Sequence, residues 1–159
     1  MEIATRIDGL QELARACREL PDRIGRSALR QATSAGAKLV RDDAKTKAPI
    51  YTGPVSQGHP PPGTLRKQIY MKRDNGSSGP QKQVFIVAVR SGKKFQSVGK
   101  KGANQDAYYW RFVEFGTVKM TARPFLRPAF EAQKMNAVTA IANVLRERID
   151  AEARNLNRK

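Results

Sequence analysis

The residues that could carry out chemistry are few in this chain and lie far apart in the sequence. The single cysteine, Cys17, falls on the apolar stripe of a predicted helix, as a small core residue would. The single histidine, His59, falls in a proline-rich loop without carboxylate or thiol companions. Asp42 and Asp43 are neighbours on a predicted helix, so their side chains diverge by about 100°. We therefore expect no catalytic group, no metal site and no cofactor.

A glycine- and lysine-rich segment resembles a phosphate-binding loop only in composition. Six residues separate Gly92 from Gly99, and Lys100 is followed by Lys101 where the nucleotide-binding pattern has Ser or Thr. The segment also lacks the helix start that such a loop requires. Its composition is typical of a mobile basic loop instead.

Glu114 is the acidic side chain whose setting suggests a specific role. It lies between Val113 and Phe115, where burying an unpaired charge would be costly. The surrounding segment, Tyr108–Phe115, fits either a short helix or a strand. Exposure on a strand would need no partner, but we expect an ion pair, within the chain or between subunits. The candidate partners are Arg111, Arg123 and Arg127.

Positive charge is the strongest compositional feature of the chain. Thirty Lys and Arg stand against fourteen Asp and Glu, giving a formal charge of +16, and half of the excess lies in residues 51–110. Such a field attracts nucleic acid or acidic protein surfaces, although it also keeps a protein soluble. DNA binding is therefore an alternative function for the chain. The candidate contacts to DNA or to an acidic partner are Lys93, Lys94, Lys100 and Lys101.

Hydropathy predicts a protein outside the membrane. The longest clear apolar run, Val84–Val89, is far shorter than the roughly 20 residues that cross a bilayer. The first residues include Glu2 and Arg6 and no apolar stretch, so no signal peptide is expected. One cysteine permits no intrachain disulfide, which favours a reducing compartment such as the cytoplasm.

Apolar spacing and proline positions predict three helices. Gly9–Leu20 is a short amphipathic helix after a capping box at Asp8, and a long helix runs from Pro21 to Ala48, where Pro49 ends it. A last helix has Pro128 in its first turn and frays near residue 155. The proline-rich stretch 49–63 cannot hold regular structure.

Strand patterns are shorter and predict a small sheet. Leu65–Arg73 and Gln83–Arg90 should form an antiparallel hairpin across the turn residues 74–80, and Glu2–Ile7 could add an edge strand. The expected fold class is α+β, a small antiparallel sheet of three to four strands packed against two long helices and one short helix. We expect one domain over residues 1–159, with flexible loops at about 50–64 and 91–106.

From Tyr109 onward the chain resembles a known family. The string YWRFVEFGTVKMTARPFLRPAFE contains a V-E-F-G-T turn at residues 113–117 and a P-F-L-R-P element at residues 124–128. Both are typical of the head–tail joining or tail-completion proteins of siphophages. Upstream segments agree in order, although Pro54–Thr64 is an insertion and the lysines of 93–101 fall outside the recognisable pattern.

This resemblance implies a non-enzymatic virion protein at the neck, made in the host cytoplasm. Such proteins are thought to form rings, commonly of six subunits, that dock to head connector and to tail terminator or tube proteins and let DNA pass. On this basis Glu114 and the Phe125 turn should lie at or beneath a subunit contact. The expected interface residues are Glu114, Phe115, Gly116, Thr117, Arg123, Pro124, Phe125 and Arg127.

Overall fold

The computed structural model describes residues 11–13, 15, 22–53, 59–96 and 104–156. Internal contacts group the chain into two compact units. The first comprises residues 1–36, 73–85 and 136–159, and the second comprises residues 37–72 and 86–135. The prediction of a single domain with two flexible loops stays a prediction.

The described elements alternate helices with one hairpin. Four helices and two strands follow in chain order: α1 (Asp22–Lys47), α2 (Thr64–Gln68), β1 (Ile69–Arg73), β2 (Phe85–Val89), α3 (Trp110–Phe115) and α4 (Leu126–Leu156). A short 3-10 turn, Lys93–Phe95, follows β2. The α+β class and the two long helices are confirmed. In the described residues the sheet has two strands, so three to four strands are not found there.

The long helix α1 buries a row of small residues. Ala28, Ala32 and Gly36 repeat at the spacing of one helix face and are all buried. A methyl group built on Gly36 would lie 2.9 Å from the Ile141 side chain of α4, so the missing side chain is what lets the two helices approach so closely. In the first unit Ala28 and Ala32 pack with Leu145, while partly buried Ile141 extends this core.

The second unit has its own core around the start of α4. Phe125 is the largest fully buried side chain there, and it packs with the end of α1 and with the hairpin. Leu65 of α2, Ile69 of β1 and Val89 of β2 complete this core. Residues from four different elements therefore fix the position at which α4 begins.

The antiparallel hairpin is confirmed, and its register gives it two different faces. The Asp74 N–H donates to the Val84 carbonyl at 2.9 Å, and the Arg90 N–H donates to the Gln68 carbonyl at 2.9 Å. Because side chains alternate along a strand, Ile69 and Val89 point to the core and Tyr70 lies on the opposite face.

The first part of the predicted strand Leu65–Arg73 is wrong, because residues 64–68 form α2. Gly63, with φ +81°, turns the chain into this helix, and Leu65 and Gln68 then share one buried face. Arg66 donates from Nε to the Ala48 carbonyl at 2.8 Å and from Nη2 to the Thr46 carbonyl at 3.2 Å. These bonds satisfy carbonyls that the end of α1 leaves open, and they require Arg66 to be on a helix side facing α1.

Some of the other sequence predictions are confirmed, and others lie outside the described residues. The proline-rich stretch has no helix or strand in its described part below residue 64, and α1 ends before Pro49 as predicted. Gln11–Leu13 and Arg15 are helical. The rest of the predicted first helix, including Cys17, lies outside the described residues, and so does the predicted strand Glu2–Ile7. No helix in the described ranges is long and apolar enough to cross a membrane.

Candidate assembly interface

The start of α4 is held by the carboxylate of Glu114. Its Oε2 accepts the backbone N–H groups of Phe125 at 2.8 Å and Leu126 at 3.1 Å, and its Oε1 accepts that of Arg127 at 3.1 Å. The side chain is buried, with 6% of its surface exposed. A carboxylate in this place also faces the positive end of the helix dipole, so charge and hydrogen bonding act together.

Glu114 satisfies every open donor of this helix start. The first bond of α4 runs from the Ala129 N–H to the Phe125 carbonyl, which leaves the donors of residues 125–128 without helical partners. Residue 128 is proline and has no N–H. Glu114 therefore accepts all three donors that remain.

The expected ion pair of Glu114 is replaced by these backbone bonds. Among the described residues no ion pair joins Glu114 to Arg111, Arg123 or Arg127. Arg127 contributes its backbone N–H instead of its guanidinium. The carboxylate is a cap for a helix that begins twelve residues later in the chain.

Gly116 directs the chain from α3 into a tight turn. It has φ +76° and ψ 177°, a conformation that is essentially restricted to glycine. Thr117 and Met120 then exchange two backbone hydrogen bonds, of 2.8 and 3.2 Å, so Val118 and Lys119 form the tip of the turn. The Arg123 N–H donates to the Val113 carbonyl at 2.8 Å, which returns the chain to α3 just before α4 starts.

Substituting Gly116 by alanine is expected to lower the free energy of unfolding by at least about 2 kcal/mol, because the required φ and ψ disfavour any side chain. The new Cβ would also lie 2.9 Å from the Ala122 nitrogen and 3.1 Å from the Met120 oxygen. Urea unfolding would measure the loss. The matched control is Gly79→Ala, whose Cβ meets nothing within 4 Å and which should change stability by less than about 0.5 kcal/mol. Equal effects of the two substitutions would contradict the assignment.

Helix α3 divides its side chains between the core and the surface. Trp110 and Val113 pack against the core of the second unit, on the same side as buried Glu114. Phe112 and Phe115 are 50% and 64% exposed on the other side. Large apolar side chains exposed together, such as these two phenylalanines, are typical of surfaces that contact other proteins.

A groove of about 510 Å³ lies between α3, the turn and the chain after α1. Ile50, Tyr51, Phe112 and Met120 line it and are all partly open to solvent at 40% or more. Phe115 and the fully exposed Val118 are close to these residues in the chain. We call these six residues the apolar face; they are Ile50, Tyr51, Phe112, Phe115, Val118 and Met120.

Stacked rings form one wall of the groove. The His59 ring stacks on Tyr51, with centroids 4.6 Å apart, and on Tyr109, with centroids 6.0 Å apart. The His59 Nδ1 lies 2.8 Å from the Pro60 carbonyl oxygen, which fixes the ring further. Burial raises the pKa of Tyr109 above its ordinary value, against the opposing effect of a backbone hydrogen bond at Leu65. The Tyr109 hydroxyl in this wall therefore stays protonated and uncharged near neutral pH.

The only charges among the residues that line the groove are positive. Lys119 and Arg123 are both exposed there, and none of the described lining residues is Asp or Glu. The groove thus combines an apolar floor with cationic side chains at its edge. It suits a polypeptide segment that offers apolar and acidic side chains together.

Some of the residues predicted for an interface are buried, and others are exposed. Glu114 and Phe125 are buried and hold the local fold together. The exposed members of the predicted set are Phe115, Thr117, Arg123, Pro124 and Arg127. Sequence reasoning missed the groove residues Tyr51, His59 and Tyr109, because nothing in the chain order shows that a proline loop packs against α3. Contact of any of these residues with another subunit stays a prediction.

The lysines predicted to contact DNA or an acidic partner are only partly described. Lys93 and Lys94 are exposed on the 3-10 turn after β2. Lys100 and Lys101 lie outside the described residues. In the described part of the chain, no group of three or more His, Cys, Asp or Glu could hold a metal ion.

Fold and surface together define a small α+β protein with an apolar face around a firmly capped helix start. Comparison with protein families then identifies the chain. Residues 11–116, about two thirds of its length, match the HK97-gp10-like family, described as "Bacteriophage HK97-gp10, putative tail-component". The chain belongs to this family, and the predicted resemblance to siphophage head–tail joining and tail-completion proteins is confirmed. Searches among curated proteins and solved structures gave no match.

Family membership makes the chain a structural component of a bacteriophage tail. Its place is accordingly the virion, and its partners include other virion proteins. The matched range contains α3 and its V-E-F-G segment but ends at Gly116, so it does not include the P-F-L-R-P element at the start of α4. The contacts of Glu114 link these two parts of the chain.

Proposed function

We propose that this protein completes the tail at the joint between head and tail, and that it acts by docking and not by catalysis. The observation that carries the proposal is the apolar face, which leaves two phenylalanines and a fully exposed valine in water around a groove. Apolar groups exposed together in a soluble protein are stabilised when a partner covers them. A tail component with such a surface is suited to assembly.

The occupant proposed for the groove is a segment of another virion protein that contains apolar and acidic residues. A second copy of this chain suits the groove less well, because each copy has a formal charge of +16 and the groove edge is itself cationic. Bringing like charges together is costly, whereas an acidic segment would be attracted and oriented. The head connector and the tail terminator or tube proteins are the candidates for this partner.

Ring assembly, with six subunits favoured, is the second part of the proposal. A ring needs a head-to-tail contact between unlike surfaces whose rotation closes. In the described residues the sheet consists of β1 and β2, and unpaired strand edges are surfaces that a neighbouring subunit can extend. These edges lie apart from the groove lining, which leaves the groove available for the partner.

Deleting the gene from its phage is the direct test of the function. We expect electron microscopy of the lysate to show DNA-filled heads and separate tails, because docking and not packaging or tail polymerisation is lost. A plasmid copy should restore joined particles and plaque titre. Normal virions, or heads without DNA, would overturn the proposal, since neither result is compatible with a role confined to joining.

A further inference from the structure

A second cleft, distinct from the apolar groove, lies on the outer face of the hairpin. It has a volume of about 370 Å³ and is lined by Tyr70, Lys72, Arg90, Ser91, Lys94 and Phe95 among others. Three of these side chains are cationic, and each is exposed. The cleft shares no lining residue with the apolar groove.

Two of the cations are held in place by aromatic rings. The Arg90 guanidinium carbon lies 4.9 Å from the centroid of the Tyr70 ring, and the Lys94 Nζ lies 5.1 Å from that of Phe95. Such cation–π contacts orient a charge without neutralising it. They leave the donors of Arg90 and Lys94 available for an anion.

The backbone that carries these cations is also fixed. The Arg90 N–H bonds the Gln68 carbonyl, and the Phe95 N–H bonds the Gly92 carbonyl at 2.9 Å in the 3-10 turn. Asp106 Oδ1 accepts the Gly92 N–H at 2.8 Å, which ties the turn to the chain that returns from the loop. The backbone around Arg90 and Lys94 is therefore held by hydrogen bonds.

Acidic residues close to the cleft in the sequence do not cancel its charge. Residues 51–110 contain ten Lys and Arg but only Asp74 and Asp106 as acids. Asp106 is 2% exposed and uses both oxygens on the turn, with Oδ2 3.4 Å from the Gln96 amide. Among the described residues no ion pair involves Lys72, Arg90 or Lys94.

We propose that this cleft binds the phosphates of duplex DNA without regard to sequence. Cations next to aromatic rings occur on several kinds of nucleic-acid-binding surface. Whether the rings stack on bases distinguishes a single-strand site from a duplex site. Here Arg90 and Lys94 already occupy a face of Tyr70 and Phe95, so the rings orient cations instead of stacking on unpaired bases. Contacts of such cations with phosphate oxygens carry no sequence information.

The test compares two triple variants of the full chain with the same net charge. One removes the cleft cations (Lys72→Gln, Arg90→Gln and Lys94→Gln), and the control removes three exposed arginines of the long helices (Arg30→Gln, Arg146→Gln and Arg148→Gln). Fluorescence anisotropy with a labelled duplex of about 30 base pairs would give Kd between roughly 50 and 300 mM salt. We expect the cleft variant to bind at least about tenfold more weakly near 100 mM salt, and its salt slope to fall by about 0.9 for each phosphate that it no longer neutralises.

The control variant should stay within about twofold of the parent chain, and two unrelated duplex sequences should bind equally. Equal weakening of both triple variants would overturn the proposal, because the charge would then act without a site. Competition by polyglutamate as effective as that by duplex, at equal charge, would overturn it in favour of an acidic protein partner. Tighter binding of single-stranded DNA would also overturn it, since the rings would then stack on bases.

Discussion

Replacing Glu114 by alanine is expected to lower the free energy of unfolding by about 2–4 kcal/mol, since three backbone donors at the start of α4 lose their acceptor together. The Phe125 donor is buried and cannot turn to water, whereas those of Leu126 and Arg127 are partly reachable. For a chain of this size the loss corresponds to a fall in Tm of roughly 5–15 °C. Thermal unfolding followed by circular dichroism would measure it.

Two further substitutions separate the cap from the loss of a charge. Glu114→Gln keeps one oxygen but turns an amide donor toward backbone donors, so an intermediate loss is expected. Glu131→Ala removes an exposed carboxylate of α4 that pairs with Lys134 at 2.6 Å, and it should change stability by less than about 1 kcal/mol. A Glu114→Ala variant as stable as Glu131→Ala would contradict the capping role.

Substituting Val118 by glutamate is expected to reduce the yield of joined particles at least about 30-fold while leaving the fold intact. Val118 is fully exposed at the tip of the turn, so a new side chain there meets no neighbour within the chain. In the complex it would place a carboxylate against an acidic and apolar partner, and a disrupted hot-spot contact near the centre of an interface costs about 2 kcal/mol or more. Complementation of the deletion phage, scored by plaque titre and electron microscopy, would measure the effect.

The sign of the charge and the position of the residue supply the controls. Val118→Lys should reduce joining less than Val118→Glu, because a lysine is attracted to an acidic partner. Leu39→Glu changes an exposed apolar residue of α1, outside both the groove and the hairpin, and should leave joining near the parental level. If both glutamate variants join heads and tails normally, the apolar face is not the docking surface.

The long helices could be predicted from the sequence because their boundaries are local. Proline residues end α1 and mark the first turn of α4, and the spacing of small and apolar residues repeats over many turns. Helix α2 could not be predicted in this way. Its five residues are too few to show a period, and its place depends on Arg66 reaching carbonyls eighteen and twenty residues earlier in the chain.

The role of Glu114 was half predictable. Its apolar neighbours indicate that the carboxylate needs a partner. The prediction looked for this partner among the arginines, whereas the structure has the backbone N–H groups at the start of α4. One local signal points to it. The residue before α4 is Phe125, which has no side-chain acceptor for the open donors, so a helix starting there needs a cap from elsewhere. The stack of His59 between two tyrosines offers no such signal, because it joins three segments that are distant in the sequence.

Cryo-electron microscopy of purified virions would test the central claim, that this protein works by covering its apolar face with a partner. We predict a ring of this chain at the joint between head and tail, with Phe112 and Val118 buried against an acidic segment of a neighbouring protein. A virion in which the protein is absent, or present with the apolar face in contact with solvent, would contradict the account.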